Sequence, residues 1–236
     1  LILSVFSVAN AHPFKSEKEL YDYYAEIDKK IFTEKNKPII RKKYPRKLTD
    51  KELEQEQIPF SLKRYTVDEI VGNNKLVYNA FNYQLMSISQ INENNKEEGV
   101  IRTFDEDENL ISIAYIENSK GVMGIYREYY PWGVLKNETP YYTSEINGKL
   151  KNYYPDGLLK EEYTYYNNKK EGLATMYYES GQKFAIENYK NDLKNGDYYM
   201  YYENGNLGMK AFFVNGKREG TIEFYEEDGK KIEKNK

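Results

Sequence analysis

Gly172-Leu173-Ala174-Thr175-Met176-Tyr177-Tyr178-Glu179-Ser180-Gly181 returns 24 positions later as Gly196-Asp197-Tyr198-Tyr199-Met200-Tyr201-Tyr202-Glu203-Asn204-Gly205. The spacing holds outward from this pair. A first glycine series runs Gly124, Gly148, Gly172, Gly196 and Gly220, and a second follows nine residues behind at Gly133, Gly157, Gly181, Gly205 and Gly229. Tyr129, Tyr153, Tyr177, Tyr201 and Tyr225 stand five residues after the first series. Tyr130, Tyr154, Tyr178 and Tyr202, then Glu226, stand six after it, and Tyr141, Tyr165, Tyr189 and Phe213 stand 17 after it. Self-similarity at a fixed period is the signature of a repeat architecture.

Each unit carries two turn signals. One precedes the second glycine, as in Pro155-Asp156-Gly157 and Glu203-Asn204-Gly205. The other precedes the next first-series glycine, as in Asn167-Asn168, Asn191-Asp192 and Asn215-Gly216. Asn, Asp and Gly tolerate the positive φ of tight hairpin turns. The runs between turns are six to eight residues long and rich in Tyr and β-branched types, which is strand length. One unit is therefore a β-hairpin. The expected fold is mainly β: an elongated, single-layer, twisted antiparallel sheet of stacked hairpins, with an N-terminal helical arm. Alternation puts Tyr126, Leu150, Ala174 and Tyr198 on one face and the first Tyr of each pair on the other.

The lattice wears away upstream. Gly99 with Phe104 reads as a sixth unit and Gly72 with Tyr78 as the start of a seventh, with Asp105-Glu106-Asp107-Glu108 as a solvated acidic turn. The chain thus divides into 1–11, a charged helical arm at 12–60, degenerate repeats at 61–123 and five regular repeats at 124–236.

Leu1 to Ala11 is apolar, uncharged and ends in Ala9-Asn10-Ala11, which reads as the end of a secretory signal, with the mature chain starting near His12. The competing reading is a short apolar element docked on the domain. Ser16-Glu17-Lys18-Glu19 fits a capping box, and Leu20, Tyr24, Ile27 and Ile31 follow at helical spacing, so 17–33 is expected as one amphipathic helix. Eight basic residues lie between Lys35 and Lys51 with one acid, Asp50, and a second capping box at Thr49 opens a short acidic helix ended by Pro59. The basic run could touch anionic lipid; it is read here as a solvated linker paired with the acids beside it.

Composition narrows the chemistry. The 236 residues hold 35 Lys+Arg, 38 Asp+Glu, one His and no Cys. No cysteine means no disulfide framework, thiolate metal site or cysteine nucleophile, and His12 has no Ser or Asp partner at a recognisable spacing. Phosphate-loop, nucleophile-elbow and kinase motifs are absent. Adjacent carboxylates such as Glu161-Glu162 point to opposite faces of a strand. The expectation is no catalytic residue, no metal and no cofactor. A net charge of -3 with no interleaved stacking platform argues against nucleic acid.

At Asn215-Gly216-Lys217-Arg218-Glu219-Gly220, followed by Phe224-Tyr225 and Asp228-Gly229, the unit resembles the MORN repeat, and more closely the bacterial MORN-repeat-variant proteins. The resemblance covers 124–236 firmly and 72–123 weakly. It implies a thin sheet of stacked hairpins with an aromatic-lined groove, and a role in binding protein or membrane; one bacterial branch is labelled as a toxin–antitoxin partner. Asn168 and Asp192 depart from the family pattern by replacing a turn glycine. The lipid-kinase label that some MORN proteins carry has no support in the residues.

Eighteen of the 26 tyrosines lie in 124–236. The lattice tyrosines are read as a structural ladder, and the aromatics that break the lattice, Trp132, Tyr142, Tyr166 and Tyr199, as contact residues. The expected function is a non-enzymatic, exported repeat protein binding a protein or an envelope or membrane component. The alternative is a cytoplasmic antitoxin or immunity-type protein, which requires 1–11 to be folded structure. Open sheet edges also offer a route to a homodimer.

Overall fold

The computed structural model describes residues 14–33, 66–79, 84–117 and 120–233. The signal-like start, His12, the basic run and the second acidic helix lie outside the described residues. The first helix, α1 (Glu17–Thr33), spans the residues its pattern predicts. Ser16 caps it, its Oγ accepting from Glu19 N–H at 3.2 Å, while Glu19 Oε2 reaches back to accept from Lys15 N–H at 2.6 Å.

Among the described residues sixteen strands form one antiparallel sheet. Upstream of the regular repeats come β1 (Thr66–Val71), β2 (Asn74–Asn79), β3 (Leu85–Ile91), β4 (Glu97–Phe104) and β5 (Leu110–Glu117). The repeats supply β6 (Gly121–Tyr129), β7 (Leu135–Tyr142), β8 (Glu145–Ile146), β9 (Gly148–Tyr153), β10 (Leu159–Tyr166) and β11 (Lys169–Tyr177). They continue with β12 (Lys183–Lys190), β13 (Leu193–Lys194), β14 (Gly196–Tyr201), β15 (Leu207–Val214) and β16 (Lys217–Phe224). Strand order follows chain order, the short β8 and β13 pairing with β7 and β12 beside the main path. The path has 14 strands, so at about 4.8 Å per strand it is roughly 60 Å wide.

Each repeat is a hairpin with a different turn at each end. At one rim the second-series glycine is the left-handed residue of a bulged turn: Gly133 N–H donates to Tyr130 O and Tyr130 N–H to Val134 O, both at 2.8 Å. Asp105–Asn109 makes the same turn with Glu108 at φ +61 in the glycine's place, so the acidic stretch is the turn of the worn sixth unit. At the other rim two consecutive residues take positive φ: Thr143-Ser144, Asn167-Asn168, Asn191-Asp192 and Asn215-Gly216. Asn168 and Asp192 hold the turn as their side chains allow. They also add a bond to the preceding repeat, accepting from Ile146 N–H at 2.7 Å and Lys170 N–H at 2.8 Å. Gly72 departs from the expectation. It lies in the turn between β1 and β2 and not within a strand as the first-series glycines do.

The two glycine-linked aromatic series have distinct jobs. Gly124, Gly148, Gly172 and Gly196 face Tyr141, Tyr165, Tyr189 and Phe213 directly across the ladder, so a ring covers the backbone that a glycine leaves bare. The second Tyr of each pair is a staple that the pattern did not reveal. Tyr130, Tyr154, Tyr178 and Tyr202 each donate their hydroxyl to the carbonyl of the first Tyr of the next repeat, at 3.0, 2.8, 2.7 and 2.9 Å. The same contact every 24 residues fixes neighbouring hairpins together. Tyr154→Phe should lower unfolding free energy by about 1 kcal/mol. A urea midpoint unmoved by that change and by Tyr178→Phe would deny the staple its role.

Helix α1 is not a free arm, nor does it cap an edge of the sheet. It lies flat on one face, crossing strands from β9 to β4, and Leu20, Tyr24, Ile27 and Ile31 are almost wholly buried beneath it. Ile27 and Ile31 form the core with Val100, Ile113 and Met123. A 17-residue helix is marginal alone in water; its stability comes from these side chains, each contributing roughly 2 kcal/mol by burial. The sheet therefore has a helix face and an open face.

Candidate functional site

Cross-strand partners share a face, so the register traces what lies beside α1. From Arg127 the row runs Glu138, Lys151, Glu162, Thr175, Ile186, Tyr199, Lys210 and Glu223. Its first part is the seat of α1. Arg127 donates to both carboxylate oxygens of Asp28 at 2.8 and 2.7 Å and to Glu138 at 3.2 Å. Tyr24 donates to the Asn147 carbonyl at 2.8 Å, and Lys149 N–H donates to the Tyr21 hydroxyl at 2.7 Å. Two lattice glycines make room for the helix: a Cβ on Gly124 would lie 2.7 Å from Ile27 Cγ2, and one on Gly148 3.1 Å from the Tyr21 hydroxyl.

Burial pushes the Tyr21 phenol up to about 12, with the hydrogen bond from Lys149 N–H opposing, and burial holds the Tyr24 phenol still further above its ordinary value. Both values are raised on folding, so the stability these neutral phenols contribute is complete below about pH 10 and is lost as pH climbs through the folded values. Helix α1 should leave the sheet in alkali, at a pH near 12. Phenolate absorbance and far-ultraviolet circular dichroism should change together there; helix signal retained after both tyrosines ionise would contradict this.

Beyond Glu162 the helix face changes character. Leu173 (51% exposed) and Asn188 are paired, as are Asp197 and Phe212 (44% exposed), while Leu193 and Val214 lie on the same face nearer the two-residue turns. Tyr166, Ile186 and Tyr199 fill between them, half-buried. Four large apolar side chains are thus exposed on three strands of one face, β11, β13 and β15, where α1 does not reach.

The four aromatics singled out by their place off the lattice do not form one site. Trp132 lies at the opposite rim and is structural in part: it stacks on Tyr130 with ring centroids 4.8 Å apart and its Nε1–H donates to Pro155 O at 3.1 Å, bridging to the next repeat. Its position in a turn gave no sign of that contact. Tyr142 packs under the start of the helix, its ring 5.1 Å from Phe14 and 5.9 Å from Tyr23. Tyr166 is its counterpart 24 residues on, outside the α1 seat, and Tyr199 lies in the apolar stretch with Lys210 Nζ 5.7 Å from its ring. The exposed Leu173, Leu193, Phe212 and Val214 are not marked by the sequence lattice, whose periodic aromatics and their breaks point elsewhere. The signal available was apolar residues on the strand face opposite the glycine-covering rings.

The first tyrosines of the pairs make contacts within the chain. Tyr129 packs on the core, Tyr153 donates to Glu138 at 2.8 Å, and Tyr225 donates to Glu223 at 2.6 Å; Tyr177 and Tyr201 supply staple carbonyls. Gly172 and Gly220 keep the positive φ of their series. Among the described residues no three His, Cys, Asp or Glu side chains converge as a metal site.

Comparison with known proteins agrees with this geometry. The family model of the MORN repeat variant matches residues 146–168, 170–191 and 194–215. No curated protein matches the chain. MORN repeats typically mediate protein or membrane interactions, and proteins built from them are generally non-catalytic. Hairpin stacking, turn placement and the family match converge on one statement: residues 146–215 resemble three consecutive MORN repeat variants.

Proposed function

We propose that this chain is a non-catalytic, exported binding protein that holds a protein partner on the part of its helix face left uncovered by α1. The observation that carries this reading is the exposed group Leu173, Leu193, Phe212 and Val214. Monomeric proteins seldom leave apolar side chains clustered on one surface without a partner for them. Tyr166 and Tyr199 lie on that surface; Trp132 is at the opposite rim and Tyr142 under the helix, so both are left out of it. Export is supported by the uncharged apolar run Leu1–Ala11.

Two measurements test the reading. Mass spectrometry of the chain recovered from its source should find a mature N-terminus near His12; an intact chain retained in the cytosol would remove export. A partner that co-purifies with the wild-type chain, once identified and purified, should bind it directly and fail to bind the Leu173→Asp/Phe212→Asp variant. Equal binding of both would move the site elsewhere.

A further inference from the structure

The seat of α1 sets a metric for the helix face. Ile27 lies at Gly124 on β6 and Tyr21 at Gly148 on β9. The two strands are separated by β7 alone, a step of about 9.6 Å at about 4.8 Å per strand. The six residues from Tyr21 to Ile27 rise about 9 Å. One repeat therefore accepts roughly 6.4 helical residues, about 1.8 turns, so a helix laid across the strands presents a fresh pair of turns to each repeat.

Tyr21, near the N-terminus of α1, lies at β9, and the same sheet continues on that side through β10 to β16. Leu173 on β11 and Phe212 on β15 are three strand steps apart along the path β11, β12, β14, β15, about 14 Å, which is roughly ten helical residues or three turns. Between them stand Ile186 and Tyr199, with Leu193 and Val214 to one side. Asn188 fills the notch at Gly196, its side chain 3.2 Å from where a Cβ would be, so the floor is closed and the apolar side chains stand on either side of it.

Resting on the binding reading above, we infer that this stretch takes one amphipathic α-helix of a partner protein, laid across β11 to β15 in line with α1. Its apolar residues fall at i, i+3 or i+4, i+7 and i+10 or i+11. Three features select that occupant. The backbone groups of these strands are engaged in their ladders, so an extended segment has no edge here to pair with, and the surface offers side chains alone. Helix α1 of a second copy has its apolar stripe already buried, so it has no such helix to give. Asp197 and Glu219 pair directly beside Phe212, and Lys190 and Lys217 pair with Leu193 and Val214; this mixed-charge surround is complemented by a protein helix with Lys or Arg over β15 and Glu or Asp toward the two-residue turns, and not by a uniformly anionic lipid surface.

The test uses the full chain and three labelled peptides of about 20 residues, enough for three repeats. One has Leu at heptad spacing with Lys and Glu elsewhere, one is its scrambled isomer, and one alternates Val and Thr. Fluorescence anisotropy should show saturable binding of the heptad peptide, none of the isomer, and a loss of roughly tenfold or more with Leu173→Asp and with Phe212→Asp. These side chains are exposed, so thermal unfolding should be unchanged; Leu193→Asp serves where either variant proves unstable. Binding of the isomer as tightly as the heptad peptide, or binding indifferent to all three substitutions, overturns the proposal. Binding of the Val–Thr peptide alone, lost in the variants, overturns the helix and leaves the binding reading standing. Failure of every peptide overturns the helix, and failure together with self-association or uptake by anionic vesicles that Leu173→Asp abolishes overturns both readings.

Discussion

Gly124→Ala should detach helix α1, while Gly220→Ala, at the same position of the repeat, should be mild. Both glycines have positive φ, +79 and +69, so each substitution carries a left-handed backbone penalty of about 1 kcal/mol. At Gly220 nothing lies within 4 Å of the new Cβ, and the penalty ends there. At Gly124 the methyl group would meet Ile27 Cγ2 at 2.7 Å and Ile27 Cβ at 3.2 Å, in the middle of the core that holds the helix. Overpacking of that kind costs roughly 1–3 kcal/mol, for a total of about 3 kcal/mol. Urea unfolding gives the totals, and hydrogen exchange on α1 shows where the loss falls. Adding Ile27→Ala to Gly124→Ala should return part of the helix protection, since the obstructing side chain is gone. Equal effects at Gly124 and Gly220 would mean that the helix is not seated there.

Arg127→Leu is the second large effect. The guanidinium is 11% exposed and bridges Asp28 on the helix to Glu138 on the sheet. Its ring neighbour Phe32 lies 5.3 Å away. Removing it strands two half-buried carboxylates facing each other, and breaking such a pair by deleting one partner costs about 3 kcal/mol. Arg127→Lys keeps the charge but cannot grip both oxygens of Asp28 while reaching Glu138, so it should retain part of the loss. Asp28→Asn combined with Arg127→Leu should be less damaging than Arg127→Leu alone, because one stranded charge is then removed. Additive losses in urea denaturation would show that the two side chains do not act as a unit.

The fold was legible because its information is periodic. Gly124 to Gly220, the paired tyrosines and the Asn-rich turns each repeat at 24 residues, and period alone separates strand, turn and glycine positions. The helix at 17–33 was equally plain from its cap and its Leu20, Tyr24, Ile27, Ile31 stripe. Its destination was not. Nothing local to α1 says that Asp28 meets Arg127, 99 residues away, or that the glycine at 124 has a second task as a notch for Ile27. The Tyr154 staple was hidden for a related reason: its acceptor is a carbonyl, which every residue carries, so no side-chain pattern marks it. The candidate contact residues fared least well. Their place off the lattice singles out Trp132 and Tyr142, and both have neighbours within the chain, whereas the inconspicuous Leu173 and Leu193 are among the side chains that make the exposed surface.

The staples run one way, each hydroxyl gripping the hairpin that follows, and Glu226 stands where the fifth would be. A carboxylate cannot donate to a carbonyl, so the last grip in the series is Tyr202 on Tyr225. Stacked repeats share their stability between neighbours, and here the shares are unequal: the hairpins under α1 are clamped by the helix as well as by staples, those from Gly172 to Gly205 by staples alone, and the one from Gly220 is gripped from behind and grips nothing ahead. Pulled or heated, the repeats beyond α1 should open hairpin by hairpin from β16 toward the helix. The surface around Phe212 is thus the first to be released from the scaffold, and anything bound there would act as the catch on the zip.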